Sequence, residues 1–313
     1  MKYRHLFGPV PSRRLGVSLG VDLVRLKTCT LDCVYCECGK TTNCTVERKE
    51  YVPPAEVREE LGDYLENKPH LDYITFSGSG EPTLHAGLGE IIDFLKENYP
   101  RYSLCLLTNG TLFTDAAVRK QAGGVDLIIP SLDTATEKTF QLLNRPHPDL
   151  KCADIIEGLI KLRSEYMGKI IVEVFIAPGL NDYPEEISAL KKALDKIRPD
   201  HIQLGTLDRP GTEEWVTPAD SRKMQEIASY LKKAELIDTF KPGQRIFTFN
   251  DSHSRQILQT LRRRPCTVKD LQQMLSLRPS EIQKYINHLL AKDIIEMEQK
   301  ERGTFLKIKK NHG

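Results

Sequence analysis

The sequence predicts an α/β protein. A partial (β/α)6 barrel of parallel strands spans residues 1–240, a linker spans 241–251, and a small winged helix-turn-helix domain spans 252–313. Two observations predict the barrel. Short apolar runs alternate with amphipathic segments along the first two thirds of the chain, which is the pattern of a parallel sheet with crossover helices. Four of the eight cysteines also crowd into residues 29–38, directly after the first apolar run. A third observation, a shift in charge, predicts the separate tail. Residues 253–313 hold 13 Lys and Arg against 6 Asp and Glu, a net +7, while the rest holds 32 against 37, a net −5.

Six runs supply the expected strands: 18–24, 73–82, 103–110, 127–133, 170–179 and 201–207. Between them lie helix-like segments at 54–68, 87–99, 115–123, 152–166 and 185–197. In the last of these, Ile187, Leu190, Ala193, Leu194 and Ile197 keep helical spacing. A further helix is expected within 209–236. Ligands of such a sheet gather at the strand C-termini, where the loops carry the chemistry. In the tail, three helices are expected near 253–263, 267–275 and 279–291, with Thr267 and Pro279–Ser280 as helix starts. Strands at 294–297 and 304–308 form the wing.

Composition narrows the function. An apolar content of 40% is enough for a sizeable core. No run of about 18 apolar residues is available to span a membrane. The first residues, MKYRHLFGPVPSRR, lack the apolar stretch of a signal peptide. The expected location is therefore the cytoplasm, where thiols stay reduced, so the cysteine cluster suits metal or redox chemistry better than disulfides.

Cys29, Cys33 and Cys36 have the spacing C-x3-C-x2-C. Three thiolates in one compact loop hold three irons of a [4Fe–4S] cube and leave the fourth iron open to another ligand. A zinc knuckle is the competing structure, with Cys38 or Cys44 as its fourth ligand. Cys105 reads as core, Cys152 as a helix start, and Cys266 stands alone in the tail. About forty residues beyond the triplet, a strand ends in Ser77-Gly78-Ser79-Gly80-Glu81-Pro82, where glycines let a ligand approach the backbone closely. The next strand ends in Thr108-Asn109-Gly110, and the one after it places Ser131 and Asp133 on one face. Glu173 lies between Ile171 and Phe175 on one face of the fifth strand, an inward face if a ligand sits in the barrel. Gln203, Thr206, Asp208 and Arg209 are substrate candidates, and Arg13 and Arg14 suit bidentate contact with a phosphate or carboxylate.

The segment Cys29-Thr-Leu-Asp-Cys33-Val-Tyr35-Cys36 resembles the cysteine signature of radical S-adenosylmethionine enzymes. The resemblance implies that the open iron chelates S-adenosylmethionine, whose reductive cleavage yields methionine and a 5′-deoxyadenosyl radical that abstracts hydrogen from a substrate. It implies Tyr35 beside the adenine. It also places Ser77, Gly78, Gly80 and Glu81 near the methionine ammonium, since Gly-Ser-Gly-Glu-Pro resembles the family's Gly-Gly-Glu-Pro. Asn109 lies near the adenosine. Ser131 and Asp133 are expected to meet ribose hydroxyls or the methionine carboxylate region, and Glu173 sugar hydroxyls or substrate if its face is inward, being a solvated charge if outward. An electron donor such as ferredoxin or flavodoxin is implied, as is oxygen sensitivity.

Residues 7–16, FGPVPSRRLG, taken with the cysteine triplet, resemble a branch similar to the tRNA wyosine-base synthases, over roughly residues 5–210. Those enzymes carry a second cluster on cysteines upstream of the motif and condense pyruvate with a methylated guanine. Here no cysteine precedes Cys29 and a tail domain is added, and both departures count against that reaction.

In the third tail helix, Ile282, Ile286, Leu289 and Leu290 form a buried stripe, leaving Gln283, Lys284, Asn287 and His288 outside. Lys300, Arg302 and Gly303 mark the wing, and Arg262–Arg264 end the first helix. Such a face suits RNA, tRNA above all, or a docked peptide. Three functions compete: a radical enzyme modifying RNA, a radical enzyme acting on a peptide, protein or small metabolite, and a metal-sensing regulator that reads DNA.

Overall fold

A computed structural model describes residues 3–12, 14–232, 234–237, 253–275 and 279–309. The strands of the first part are β1 (Leu6–Ser12), β2 (Gly16–Val21), β3 (Thr28–Cys29), β4 (Asn43–Cys44), β5 (Tyr73–Phe76), β6 (Ser103–Thr108), β7 (Leu127–Pro130), β8 (Lys169–Ile176), β9 (His201–Thr206) and β10 (Ala234–Leu236). The helices are α1 (Pro54–Leu65), α2 (Leu88–Asn98), α3 (Ala116–Ala122), α4 (Glu137–Leu143), α5 (Cys152–Glu165), α6 (Pro184–Ile197) and α7 (Ser221–Leu231). One sheet of eight strands runs β1-β2-β5-β6-β7-β8-β9-β10, parallel throughout except for the β1–β2 pair. The six expected strands are its centre, so the α/β partial barrel is present.

Alternation along the strands builds two layers. Leu19, Ile74, Phe76, Leu104, Leu106, Ile128, Val172 and Val174 point outward into the core beneath the helices. Their alternates Cys105, Ile129 and Ile171 form a smaller inward cluster with Leu15 and Leu127. Ser18 and Thr75 spend their hydroxyls on each other at 2.6 Å, so the inner face carries polar groups without losing hydrogen bonds. The helices begin where local chemistry permits. Pro54 and Pro184 occupy first-turn positions, and the Asp220 carboxylate accepts the Arg222 amide hydrogen at 2.8 Å to cap α7. Helix α6 buries Ile187, Leu190, Leu194 and Ile197, each worth about 1.5–3 kcal/mol relative to exposure.

Five elements of the first part lie outside the sequence expectation. β1 contains two prolines, which read as irregular chain, but an edge strand tolerates proline, and a register shift between Phe7 and Val10 absorbs the irregularity. The Phe7 ring packs on Gly20, where a Cβ would lie 2.1 Å away. β10 and α4 are too short to show a period, and the β3–β4 pair is only two residues long.

The tail contains α8 (His253–Arg263), β11 (Cys266–Thr267), α9 (Val268–Leu275), α10 (Pro279–Ala291), β12 (Ile295–Lys300) and β13 (Gly303–Ile308), with sheet order β11-β13-β12. It has its own core of Ile257, Leu261, Leu271, Ile282, Ile286, Leu289, Ile295 and Leu306. Val10 of β1 packs against that core, and Arg263 stacks over the Phe7 ring at 4.3 Å. Arg302 donates to Asp208 and, at 2.7 Å, to Asp270. The expected linker 241–251, Arg13, and the side chains of Lys284 and His288 lie outside the described residues.

Candidate active site at the barrel mouth

The cysteine loop is clamped at both ends. At its root, the Lys27 amide donates to the Ser79 carbonyl at 3.2 Å, and the Glu81 amide donates to the Thr28 carbonyl at 3.1 Å. A Cβ on Gly80 would stand 1.7 Å from that Thr28 oxygen, so only glycine permits this approach. On the far side, the Val34 amide donates to Leu143 at 3.0 Å and the Glu213 amide donates to Val34 at 3.0 Å. The Thr212 hydroxyl donates to the Cys36 carbonyl at 3.1 Å. The loop is therefore held by α4 and by the chain after β9, and the glycine-rich segment acts as its root clamp.

Cys29, Cys33 and Cys36 are free and half-buried. Each sulfur faces a donor: Asn109 Nδ2 at 3.5 Å from Cys29, Asn144 Nδ2 at 3.4 Å from Cys33, and Lys27 Nζ at 3.1 Å from Cys36. Donors of this kind stabilise charge on cluster-bound sulfur and set its potential. A hydrogen bond from Cys38 and the Lys27 ammonium pull the Cys36 thiol down to about 5 against its burial. Burial, then Glu81, pushes Cys29 up to about 12, and burial with Asp133 drives Cys33 upward. Two of the three thiols thus keep their protons until a metal replaces them. Among the described residues, no three His, Cys, Asp or Glu side chains converge on one metal ion, as a zinc knuckle requires. A cube makes no such demand, because each cysteine takes a different iron. The thiol set with its three donors fits that cube.

Beside the loop, a crevice of about 50 Å³ brings together Cys33, Tyr35, Asn109, Ser131, Asp133 and Asn144. The Tyr35 ring stacks on Phe175 with centroids 3.8 Å apart, and its hydroxyl donates to Asp133. Asp133 also accepts from Asn144 Nδ2 at 2.8 Å and the Phe175 amide at 2.9 Å. Burial pushes its carboxyl up to about 6 despite these donors. Asn109 is fixed by its amide donating to Glu81 at 2.7 Å and its side chain donating to Thr30 at 2.7 Å.

Glu173 points inward, pairs with Arg14, and lines a cavity of about 550 Å³ with Tyr35, Cys36 and Phe175. Thr206, Asp208 and Arg209 line that cavity too, while the Gln203 Oε1 is buried without a partner. Ser77 and Gly78 line a second cavity of about 210 Å³. Glu81 faces neither. Its carboxylate accepts from the Thr83 amide and hydroxyl, the Thr108 hydroxyl at 2.6 Å and the Asn109 amide, bracketing the turn after β5 to the end of β6. Lys27 and Asn144 escaped the sequence reading. Lys27, two residues before Cys29, was visible as a cation beside thiols, whereas Asn144 had no such signal.

Comparison with known proteins agrees with this geometry. A profile of the radical SAM superfamily matches residues 23–194. A protein named GTPase Obg from Brachyspira hyodysenteriae is 36% identical over 74% of this chain, which spans only 34% of that relative's length. A UPF0026 protein of Methanocaldococcus jannaschii is 34% identical over 78% of each chain. Among solved structures, TYW1 with a lysine-pyruvate adduct aligns at TM-score 0.51 and 15% identity, over 72% of this chain and 75% of that one. SuiB from Streptococcus suis bound to its precursor peptide SuiA aligns at 0.53 and 13% identity, over 69% of this chain and 48% of that one. These two likenesses concern the fold. The profile covers more than half of the chain and ends within α6, and the protein therefore belongs to the radical S-adenosylmethionine superfamily of enzymes, which work with a [4Fe–4S] cluster and S-adenosylmethionine.

Proposed function

We propose that Cys29, Cys33 and Cys36 hold the cluster of this chain, and that its substrate binds in the cavity between the barrel mouth and the tail. When bound, the cluster and S-adenosylmethionine supply a 5′-deoxyadenosyl radical that takes a hydrogen atom from the substrate. One observation carries the reading: Cys36, Tyr35 and Phe175 of the barrel line the same cavity of about 550 Å³ as Arg264 of the tail. Lys27, Asn109 and Asn144 hold the sulfurs' charge. Tyr35, pinned between Asp133 and Phe175, offers a fixed flat face for the adenine. Ser131, Asp133 and Glu173 offer acceptors for ribose or substrate hydroxyls, and Ser77 and Gly78 offer backbone on the opposite side. Glu81 and Gly80 serve the cofactor by holding the loops. The chain reads as a barrel to residue 240, a linker, and a winged helix-turn-helix from 252, working in the cytoplasm with a ferredoxin- or flavodoxin-like electron donor.

The tail's net charge of +7 favours a second reading, in which it docks RNA and the substrate is a tRNA base. Against it, Arg302, one of the residues that mark the wing in the sequence, is paired with Asp208 and Asp270. The test is substrate-stimulated 5′-deoxyadenosine formation by anaerobically reconstituted protein with dithionite, given bulk tRNA or a nucleic-acid-free metabolite extract. Stimulation by the extract alone supports the cavity reading. Stimulation by tRNA, with binding that falls steeply with salt, replaces it with the RNA reading.

A further inference from the structure

We propose that the tail forms one wall of the binding site, and that the small molecule bound there carries a phosphate or carboxylate group seated between Arg14 of the barrel and Arg264 of the tail. The proposal rests on the reading above only in calling that molecule the substrate. The two cavities share four residues, Arg14, Glu37, Arg209 and Arg264, which form a waist between a larger and a smaller chamber. The larger chamber balances its arginines with Glu37, Glu173 and Asp208. The smaller does not: Arg14, Arg209, Arg263 and Arg264 face one carboxylate, Glu37.

Protein groups leave this positive charge incompletely answered. Arg14 is held by Glu173, and Arg209 lies 3.4 Å from Glu37 and 4.0 Å from Asp270. Among the described residues, Arg264 has no carboxylate within ion-pair distance. The Nε atoms of Arg209 and Arg263 are buried without a hydrogen-bond acceptor, and the nearest carboxylate to Arg263 Nε, Asp22, lies 3.8 Å away, too far for a hydrogen bond. Phe7, Leu107 and Met274 line the same chamber and lower its dielectric, which strengthens the pull on an anion. A guanidinium pair grips phosphate or carboxylate through parallel hydrogen bonds. The volumes, about 550 and 210 Å³, suit a small molecule. The Arg302–Asp208 ion pair, with Asp270 bracing Arg302 inside the tail, holds the roof onto the mouth, which disfavours a polymer strand. With its anion at the waist, such a molecule extends its other end into the chamber that holds Cys36 and Tyr35.

The test is equilibrium dialysis of the full chain, without cluster, against labelled pyrophosphate and, separately, malonate. It needs no radical chemistry, so its failure leaves the enzyme reading standing. One equivalent of one probe should bind. Affinity should fall at least about tenfold in Arg264→Gln and less in Arg264→Lys, which keeps the charge but not the fork. Arg262→Gln, which removes the same charge from an exposed neighbour, should change it less than about twofold. Preference for pyrophosphate assigns a phosphate carrier, and preference for malonate a carboxylate carrier. No stoichiometric binding of either probe, or equal losses in Arg262→Gln and Arg264→Gln, overturns the site. Bulk tRNA that displaces the probe and itself binds about tenfold more weakly to Arg264→Gln overturns the small-molecule assignment. Thermal melting confirms that each variant is folded.

Discussion

The barrel mouth and the tail handle charge in different ways. At the mouth, several ionisable groups are held by neutral donors on neighbouring loops: Glu81 by two threonines and backbone amides, Asp133 by Tyr35 and Asn144, two of the thiols by asparagine amides, with Lys27 at Cys36 and Arg14 at Glu173 as the charged exceptions. In the tail, arginines reach carboxylates far away in sequence, Arg302 meeting Asp208 across 94 residues. Neutral donors hold a carboxylate or sulfur in place without cancelling its charge. Ion pairs between segments fix one body on another. The first arrangement suits chemistry and the second suits closure.

The sharpest test of the difference is at the thiols. In the proposed site Cys36→Ala removes one iron's protein ligand, so reconstituted protein should lose most of its iron and sulfide, whereas Cys38→Ala should keep them. Metal and sulfide analysis after anaerobic reconstitution reads this directly. Next is the root clamp. Gly80→Ala drives a methyl into the Thr28 carbonyl and should cost about 1–3 kcal/mol in urea melts, with poorer iron loading. Gly39→Ala, at positive φ but in open space, should cost about 1 kcal/mol and leave loading unchanged.

Asp133 gives a pH signature. Its carboxyl sits at about 6 in the folded chain and near 4 when unfolded, so between those values the folded state binds more protons. Its contribution to stability is full below about pH 4 and is lost as pH rises through about 6. The change is at most on the order of 3 kcal/mol, and Asp133→Asn should flatten it in cluster-free protein. Arg302→Ala should cost about 1–3 kcal/mol, because Asp208 and Asp270 lose a charged donor. Lys307→Ala, which removes a cation from Glu298 on the tail's hairpin, should cost less than about 1 kcal/mol. If Arg302→Ala and Lys307→Ala proved equal in thermal melts, the tail would not be latched.

The barrel was legible because its signals are local. The cysteine spacing, Tyr35 and Asn109 sit within short motifs, and the apolar runs mark the six central strands. Alternation put Glu173 on one face with Ile171 and Phe175, and the inward sense came from the expectation that polar residues gather around a ligand. What stayed hidden depends on distant partners. Asn144 reaches Cys33 across 111 residues, and nothing in its neighbourhood distinguishes it from a loop asparagine. The sequence shows Glu81 as part of a ligand motif, but it cannot show that four internal donors converge on the carboxylate. β1 was masked by prolines that an edge strand accommodates. The pairing of Arg302 with Asp208 and Asp270 was hidden as well, because a sequence shows charges without their partners.

The most direct test of the account is reductive cleavage of S-adenosylmethionine by the anaerobically reconstituted chain, with dithionite and quantified 5′-deoxyadenosine. Wild type should form it, Cys29→Ala, Cys33→Ala and Cys36→Ala should form none, and Cys38→Ala should retain formation. No product from cluster-loaded wild type, or full product from Cys36→Ala, would contradict it.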